Sequence, residues 1–305
     1  MMNNFIFENK TKVYFGKGGV KEYLGGLLAN FGETVMLAYG GGSIKCNGVY
    51  DEIMGILNAQ GKCVVEFSGI MSNPTYAKVQ EGAKLARENH VDLILAVGGG
   101  SVSDCCKVPS GAFDTLSHAM ETYFGKPDEN NLSDDINEAV MRSVIRNIRI
   151  LLTDPENYDA RSELAQASAM AENGVLKIGK VTDFQAHQIE HQLGAYTNCN
   201  HGAGLAVIHP VLYRHIYKSG AARFARFAQN VWGIAPKGSD EETAAAGIDA
   251  LAAFIKEIGL LTTFTELGIP ADTDFRAITD STNVTAGCCK KLTRDEICEI
   301  LQECL

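Results

Sequence analysis

Val35-Met36-Leu37-Ala38-Tyr39 runs without a charged residue into Gly40-Gly41-Gly42-Ser43, and Leu93-Ile94-Leu95-Ala96-Val97 runs in the same way into Gly98-Gly99-Gly100-Ser101. Apolar runs of this length, closed by turn residues, read as buried strands. Cys63-Val64-Val65-Glu66-Phe67 is a third such run, and amphipathic helical stretches lie between them at roughly 47–60 and 75–89. Short buried strands alternating with helices need right-handed crossovers, which predicts a parallel sheet in an α/β domain.

The glycines add chemistry to that topology. Glycine at a strand's carboxyl end lets the backbone turn with positive φ and approach a ligand closely. The amides of the next helix's first turn then face an anion, and ligands of parallel sheets sit just beyond these strand ends. Two such turns in one small sheet point to a phosphorylated ligand. Neither turn spells G-x-G-x-x-G, and neither ends in the Gly-Lys-Ser/Thr of a Walker loop, so neither a standard Rossmann nor a P-loop assignment holds. The first turn has no Asp or Glu just after the strand, where a carboxylate would grip a ribose 2′-hydroxyl and repel a 2′-phosphate. Gly41, Gly42 and Ser43 stand there with Lys45 close by, which favours NADP(H) over NAD(H).

Beyond Pro109 the character changes to long helical periodicity, with helices expected to begin near Ser110, Ser133, Asp159, Asp183, His201, Asp240 and Thr293. Thr293-Arg294-Asp295-Glu296 has the spacing of a capping box before the last helix. The expected organisation is an α/β dinucleotide-binding domain over 1–107 and an all-helical domain over 108–305.

The bulk composition narrows the class. The 305 residues are 46% hydrophobic and 21% charged, with a formal net charge of -10. Acidic chains with scattered Lys and Arg do not suit nucleic acid or an anionic membrane surface, which call for clustered basic residues. No apolar run reaches the length of a membrane span, and Met1 to Glu8 lacks the pattern of a secretory signal. The nine cysteines, with Cys105-Cys106 and Cys288-Cys289 adjacent, read as reduced thiols of a cytoplasmic protein.

Histidine placement carries the second chemical signal. Asp114 and His118 are spaced i, i+4, so on a helix they share a face. His187 and His191 repeat the spacing, and His201 follows after Asn198-Cys199-Asn200. A carboxylate among several imidazoles suits Fe(2+) or Zn(2+) and needs no sulfur. His90, His209 and His215 lie outside these windows and read as ordinary hydrogen-bonded residues. His187-x-x-Glu190-His191 also fits the H-x-x-E-H pattern of inverted zinc peptidases, with Glu190 as general base. That reading leaves the glycine turns and the Asp114/His118 pair unexplained.

Taken together, Tyr39-Gly-Gly-Gly-Ser-Ile-Lys45, Ala96-Val-Gly-Gly-Gly-Ser-Val-Ser-Asp104, Gly111-Ala-Phe-Asp-Thr-Leu-Ser-His118, His187-Gln-Ile-Glu-His-Gln-Leu-Gly194, Asn200-His201-Gly202 and Lys290-Lys-Leu-Thr293 resemble the iron-containing alcohol dehydrogenases, most closely their butanol dehydrogenase and NADPH-dependent aldehyde reductase branch. The resemblance implies a dehydroquinate synthase-like fold, metal- and NAD(P)H-dependent interconversion of a primary alcohol and its aldehyde, and a homodimer. It implies Asp114, His118, His187 and His201 as metal ligands and places His191 beside substrate and nicotinamide. It assigns Gly99, Gly100, Ser101 and Asp104 to the cofactor's pyrophosphate region, and Gly41, Gly42 and Ser43 to its adenosine end.

One departure from the family pattern stands out. Several dozen residues, including a cofactor-contacting Thr-Gly-Ser segment and further strands, separate the second glycine turn from the metal-binding Asp in the family. Here Lys107 leads almost at once into Pro109-Ser110-Gly111-Ala112-Phe113-Asp114. Such an internal deletion spares the ligands but shortens the nucleotide domain. It exposes a sheet edge and an apolar face, and raises a rival reading: a metal-binding remnant of the fold that holds nucleotide poorly.

Overall fold

The computed structural model describes residue 8 and residues 12–70, 76–98, 108–126, 129–285 and 289–305. The chain divides into two compact units, Lys10–Asp104 and Cys105–Leu305 together with Met1–Asn9.

The first unit is the expected α/β layer. Helix α1 (Gly19–Leu28) precedes strand β1 (Thr34–Tyr39), which leads through the single turn α2 (Ser43–Cys46) into α3 (Val49–Ala59). Strand β2 (Cys63–Phe67), helix α4 (Tyr76–Glu88) and strand β3 (Leu93–Val97) follow. The strands are parallel in the order β2-β1-β3, with Leu37 opposite both Glu66 and Leu95. Strand alternation sorts the central strand's side chains. Val35, Leu37 and Tyr39 pack with Leu28, Ile44, Ile53 and Leu57 on one face, while Met36 and Ala38 meet Phe67 on the other. β3 is a sheet edge among the described residues, and its Ile94 is 60% exposed. The expected amphipathic stretches appear as α3 and α4; α1 and the separate turn α2 were not foreseen.

The second unit is helical. It comprises α5 (Val108–Tyr123), α6 (Leu132–Thr153), α7 (Tyr158–Glu172), α8 (Gln185–Thr197), α9 (His201–Ile216), α10 (Ala221–Asn230), α11 (Asp240–Glu257), α12 (Phe275–Ser281) and α13 (Arg294–Glu303). An antiparallel bridge between Lys126 and Val181 is its one isolated β pairing among the described residues. α5 and α9 form the centre of the core, where Phe113, Leu116, Met120 and Phe124 pack with Leu205, Ile208, Leu212 and Tyr213.

Capping chemistry sets several helix starts. The Thr293–Glu296 capping box forms as expected, and others form at Asn131/Asp134 and Ser239/Glu242. The expected start at Asp183 is corrected. α8 begins at Gln185, and its preceding residue Phe184 takes a left-handed φ of 56° with no side-chain cap of its own. No described helix is long and apolar enough to cross a membrane. Cys46, Cys63, Cys298 and Cys304 carry free thiols.

Candidate metal centre and nucleotide turn

The helical unit brings the four expected ligands together from three helices. Asp114 and His118 lie one turn apart on α5, His187 sits in the first turn of α8, and His201 is the first residue of α9. Asp114 Oδ1 lies 3.6 Å from His118 Nε2, 3.5 Å from His187 Nε2 and 3.4 Å from His201 Nε2. His118 Nε2 and His187 Nε2 are 3.1 Å apart. A divalent ion at about 2.0–2.2 Å from each donor of a tetrahedron requires donor–donor edges of roughly 3.3–3.6 Å. Three of these four separations fall in that range and the fourth is slightly shorter, a spacing that suits donation to one ion by Asp114 Oδ1 and the Nε2 atoms.

Two further observations support the fit. Asp114 Oδ1 is buried and has no hydrogen-bond partner within the protein, a costly arrangement unless something else meets it. The potential ligand atoms of Asp114, His187 and His201 all lie within 4.8 Å of one another. His118 joins Asp114 and His187, and its Nε2 also lies 2.8 Å from Glu172 Oε1 at the end of α7. Glu172 was not among the expected residues.

Behind the donors stand two buried carboxylates. Glu121, one further turn along the Asp114–His118 stripe of α5, accepts the Nδ1–H of His187. It also accepts the backbone N–H of Ala186 at 2.6 Å and of His187 at 3.3 Å, supplying the cap that α8 lacks locally. Glu190 accepts the Nδ1–H of His201. In each case the hydrogen bond at Nδ1 leaves Nε2 free to face Asp114, the arrangement by which a carboxylate orients and strengthens an imidazole ligand. Glu121 was missed in the sequence, although its i+7 spacing from Asp114 is a usable signal. Glu190 had a place there only as a peptidase base, and its engagement behind His201 removes it from that role.

The electrostatics follow from this stacking of charges. Burial works to raise the Asp114 carboxyl, but His187, His201 and His118 hold it well below the usual carboxylate range. Burial works to lower His187, yet Asp114 and Glu121 lift it to about 9. His201 is likewise opposed by burial and lifted by Asp114 and Glu190 to about 10. His191 behaves oppositely. Burial, with His201 and His187 nearby, pushes it below its ordinary value. Its ring stacks on that of His201 with centroids 5.3 Å apart. Glu190, His191 and His201 form a second close triplet, but its carboxylate is already engaged at the His201 ring.

Close packing positions the donors. A Cβ on Gly202 would fall 2.2 Å from the carbonyl oxygen of Ser110, so only glycine lets α9 approach α5 with His201 at its start. Phe184, at its left-handed φ, lines the site with its ring 5.4 Å from His118 and 5.0 Å from His187. Two of the histidines outside the clusters have other partners. His209 is fully buried and pairs with Ser117 Oγ at 2.5 Å, and His215 pairs with Glu303 at 3.1 Å.

In the α/β unit, Gly41 and Gly42 follow β1, and a Cβ on either would meet nothing within 4 Å. Ser43 Oγ is buried without a partner in the protein. This open backbone with an unmatched hydroxyl suits a polar ligand. Only the one-turn α2 follows directly, so a full helix dipole does not back the turn. Gly99, Gly100, Ser101 and Asp104 lie outside the described residues.

Comparison with known proteins agrees with this geometry. Residues 10–137 match the iron-containing alcohol dehydrogenase family, and residues 109–305 match the Fe-containing alcohol dehydrogenase family, C-terminal. The chain is 32% identical to the probable NADH-dependent butanol dehydrogenase 2 of Bacillus subtilis, over 85% of this chain and 87% of that one. It is 27% identical to the NADPH-dependent aldehyde reductase YqhD of Escherichia coli, over 88% and 90%. The crystal structure of NADH-dependent butanol dehydrogenase A from Thermotoga maritima superposes with a TM-score of 0.90 at 26% identity, covering 99% of both chains.

The alignment with the probable NADH-dependent butanol dehydrogenase 1 of Bacillus subtilis takes in all of both chains over 389 positions at 30% identity. Since this chain has 305 residues, about 84 positions of that relative face no residue here. Because the alignment takes in all of both chains, these positions fall within the aligned span and not beyond its ends. With its donor cluster, its glycine turn and both halves of the family pattern in place, the chain belongs to the iron-containing alcohol dehydrogenase family.

Proposed function

We propose that this protein interconverts a primary alcohol and its aldehyde with a nicotinamide cofactor, residues 1–107 binding the dinucleotide and 108–305 the metal. The observation that carries the reading is the convergence of three imidazole Nε2 atoms on Asp114 Oδ1. Asp114, His118, His187 and His201 would hold Fe(2+) or Zn(2+). When bound, the metal supplies Lewis acidity toward the substrate oxygen and the nicotinamide supplies or accepts the hydride.

The protein's own groups do the remaining work. Glu121 and Glu190 keep the Nδ1 protons of His187 and His201 in place, so both rings present Nε2 as a donor. His191 is exposed, and partial desolvation with its neighbours His201 and His187 pushes its imidazole below the ordinary value, so it is neutral near pH 7. A ring nitrogen of His191 exchanges the substrate's proton with solvent. The open turn at Gly41, Gly42 and Ser43 receives the adenosine end, and the lack of a carboxylate within the turn favours NADP(H). Gly99, Gly100, Ser101 and Asp104 receive the pyrophosphate region. We place the protein in the cytoplasm as a homodimer.

Reduction of butanal by the metal-loaded protein with NADPH, followed at the nicotinamide absorbance, tests the reading. A His191→Ala variant is expected to keep its metal and lose most turnover. Its remaining rate should lack the acid limb expected of the wild type below the ordinary histidine range. Unchanged turnover and pH profile would refute the relay.

The roughly 84 positions of the fully aligned relative that face no residue here favour a second reading, a metal-binding remnant of the fold. That reading predicts stoichiometric metal, no saturable NADPH binding and no turnover.

A further inference from the structure

The carboxylate missing from the first glycine turn arrives from the neighbouring strand. Leu37 pairs with Glu66 across the β1–β2 ladder, so Tyr39 and Glu66 project on the same face of the sheet. Tyr39 Oη donates to Glu66 Oε2 at 2.5 Å, and Tyr50 Oη donates to Oε1 at 2.6 Å. Lys45 Nζ lies 3.6 Å from Oε2. It also sits over the rings of Tyr50, at 4.5 Å, and Tyr39, at 5.4 Å. Residues from β1, α2, α3 and β2 thus close into one charged cluster, directly after Gly41, Gly42 and Ser43.

The two charges in this cluster ask opposite things of a ligand. The ammonium of Lys45 is half exposed and keeps N–H donors for a phosphate. The carboxylate of Glu66, fixed by two phenols, has lone pairs left for a hydroxyl and repels a phosphate. Both remain charged near neutral pH: the phenols of Tyr39 and Tyr50 lower the Glu66 carboxyl, and Tyr39 raises Lys45.

We propose that Lys45 and Glu66 form the discriminating pair for the cofactor's 2′ position. Lys45 draws a 2′-phosphate, and Glu66 accepts a 2′-hydroxyl and opposes the phosphate. The inference rests on the reading that the Gly41–Ser43 turn receives the adenosine end. It changes the expected preference: the pair offsets the lean toward NADP(H) and lets the chain take both cofactors.

Calorimetric titration of the full chain with adenosine 2′,5′-bisphosphate and with adenosine 5′-monophosphate tests it, because both probes carry the 5′-phosphate and only the first has a phosphate at the 2′ position. Wild type is expected to bind the two within about tenfold of each other. For charges a few ångströms apart at a protein surface, removing one is worth on the order of tenfold in affinity. Glu66→Gln should therefore bind the bisphosphate about tenfold more tightly and the monophosphate more weakly. Lys45→Met should bind the bisphosphate about tenfold more weakly, with the monophosphate within twofold of wild type. If Glu66→Gln fails to fold, as judged by thermal melting, Lys45→Met decides alone. Variants that bind both nucleotides in the wild-type ratio overturn the inference while the cofactor reading stands. A wild-type chain that binds neither nucleotide overturns both.

Discussion

Asp114 Oδ1 lies 3.5 Å from His187 Nε2, although one residue belongs to α5 and the other to α8. The carboxylate oxygen has no hydrogen-bond partner, and the imidazole is fixed from behind by Glu121. The pair is therefore arranged for something that accepts electron pairs from both.

Replacing that oxygen should abolish the site. Asp114→Ala is expected to reduce bound metal well below one ion per chain, a larger loss than the 10–100-fold typical of removing an outer hydrogen-bond partner. Elemental analysis after gel filtration checks it. Full metal retention would show that the histidines bind without Asp114, as a peptidase-like site at His187 and His191 requires.

Glu121 combines a helix cap with the orientation of a ligand, and two variants separate these roles. Glu121→Gln keeps an acceptor for the Ala186 and His187 amides but loses the charge. It should weaken metal binding about 10–100-fold in chelator competition. Glu121→Ala should do the same and also destabilise the fold by about 1–3 kcal/mol, because buried donors lose their partner. Equal metal affinity in wild type and Glu121→Gln would overturn the orienting role.

Gly202→Ala tests whether helix approach sets the ligand geometry. The added methyl would meet the Ser110 carbonyl oxygen at 2.2 Å, so α9 must move away from α5. The expected cost is about 1–3 kcal/mol, typical of overpacking, with an altered absorption spectrum of bound Co(2+) as His201 shifts. A Co(2+) spectrum and melting temperature identical to wild type would count against it.

His209 should make stability depend on pH. Burial depresses its imidazole to about 4, whereas in the unfolded chain it titrates near its ordinary value of about 6.5. Between these values the unfolded state binds the extra proton, so stability rises with pH. The contribution of neutral His209 is complete above about pH 6.5 and is lost as pH falls toward 4. It amounts to about 2 kcal/mol between pH 7 and pH 5. Urea midpoints at saturating metal should fall less over that interval in His209→Gln than in wild type, and equal falls would refute the assignment.

Local periodicity made much of the chain legible. The strands around Leu37, Val65 and Leu95 and the capping box at Thr293 formed where spacing and turn chemistry placed them. α10 escaped because it begins after Gly220 with no side-chain cap. α12 is only seven residues long, so its Asp274 cap opens too short a run for periodicity to show. The start of α8 was misplaced because its cap is Glu121, from another helix.

What the sequence by itself determined is the set of chemical groups and their local geometry. A 3.6-residue period puts Asp114, His118 and Glu121 on one face of a helix, and a strand followed by glycines makes a turn a ligand can approach. The tertiary structure alone decided which groups meet. Packing at Gly202 brings His201 to Asp114, helix pairing puts Glu121 behind His187, and strand register sets Glu66 against Lys45. These choices depend on contacts distant in the chain, made by burying apolar surface, and no local spacing encodes them.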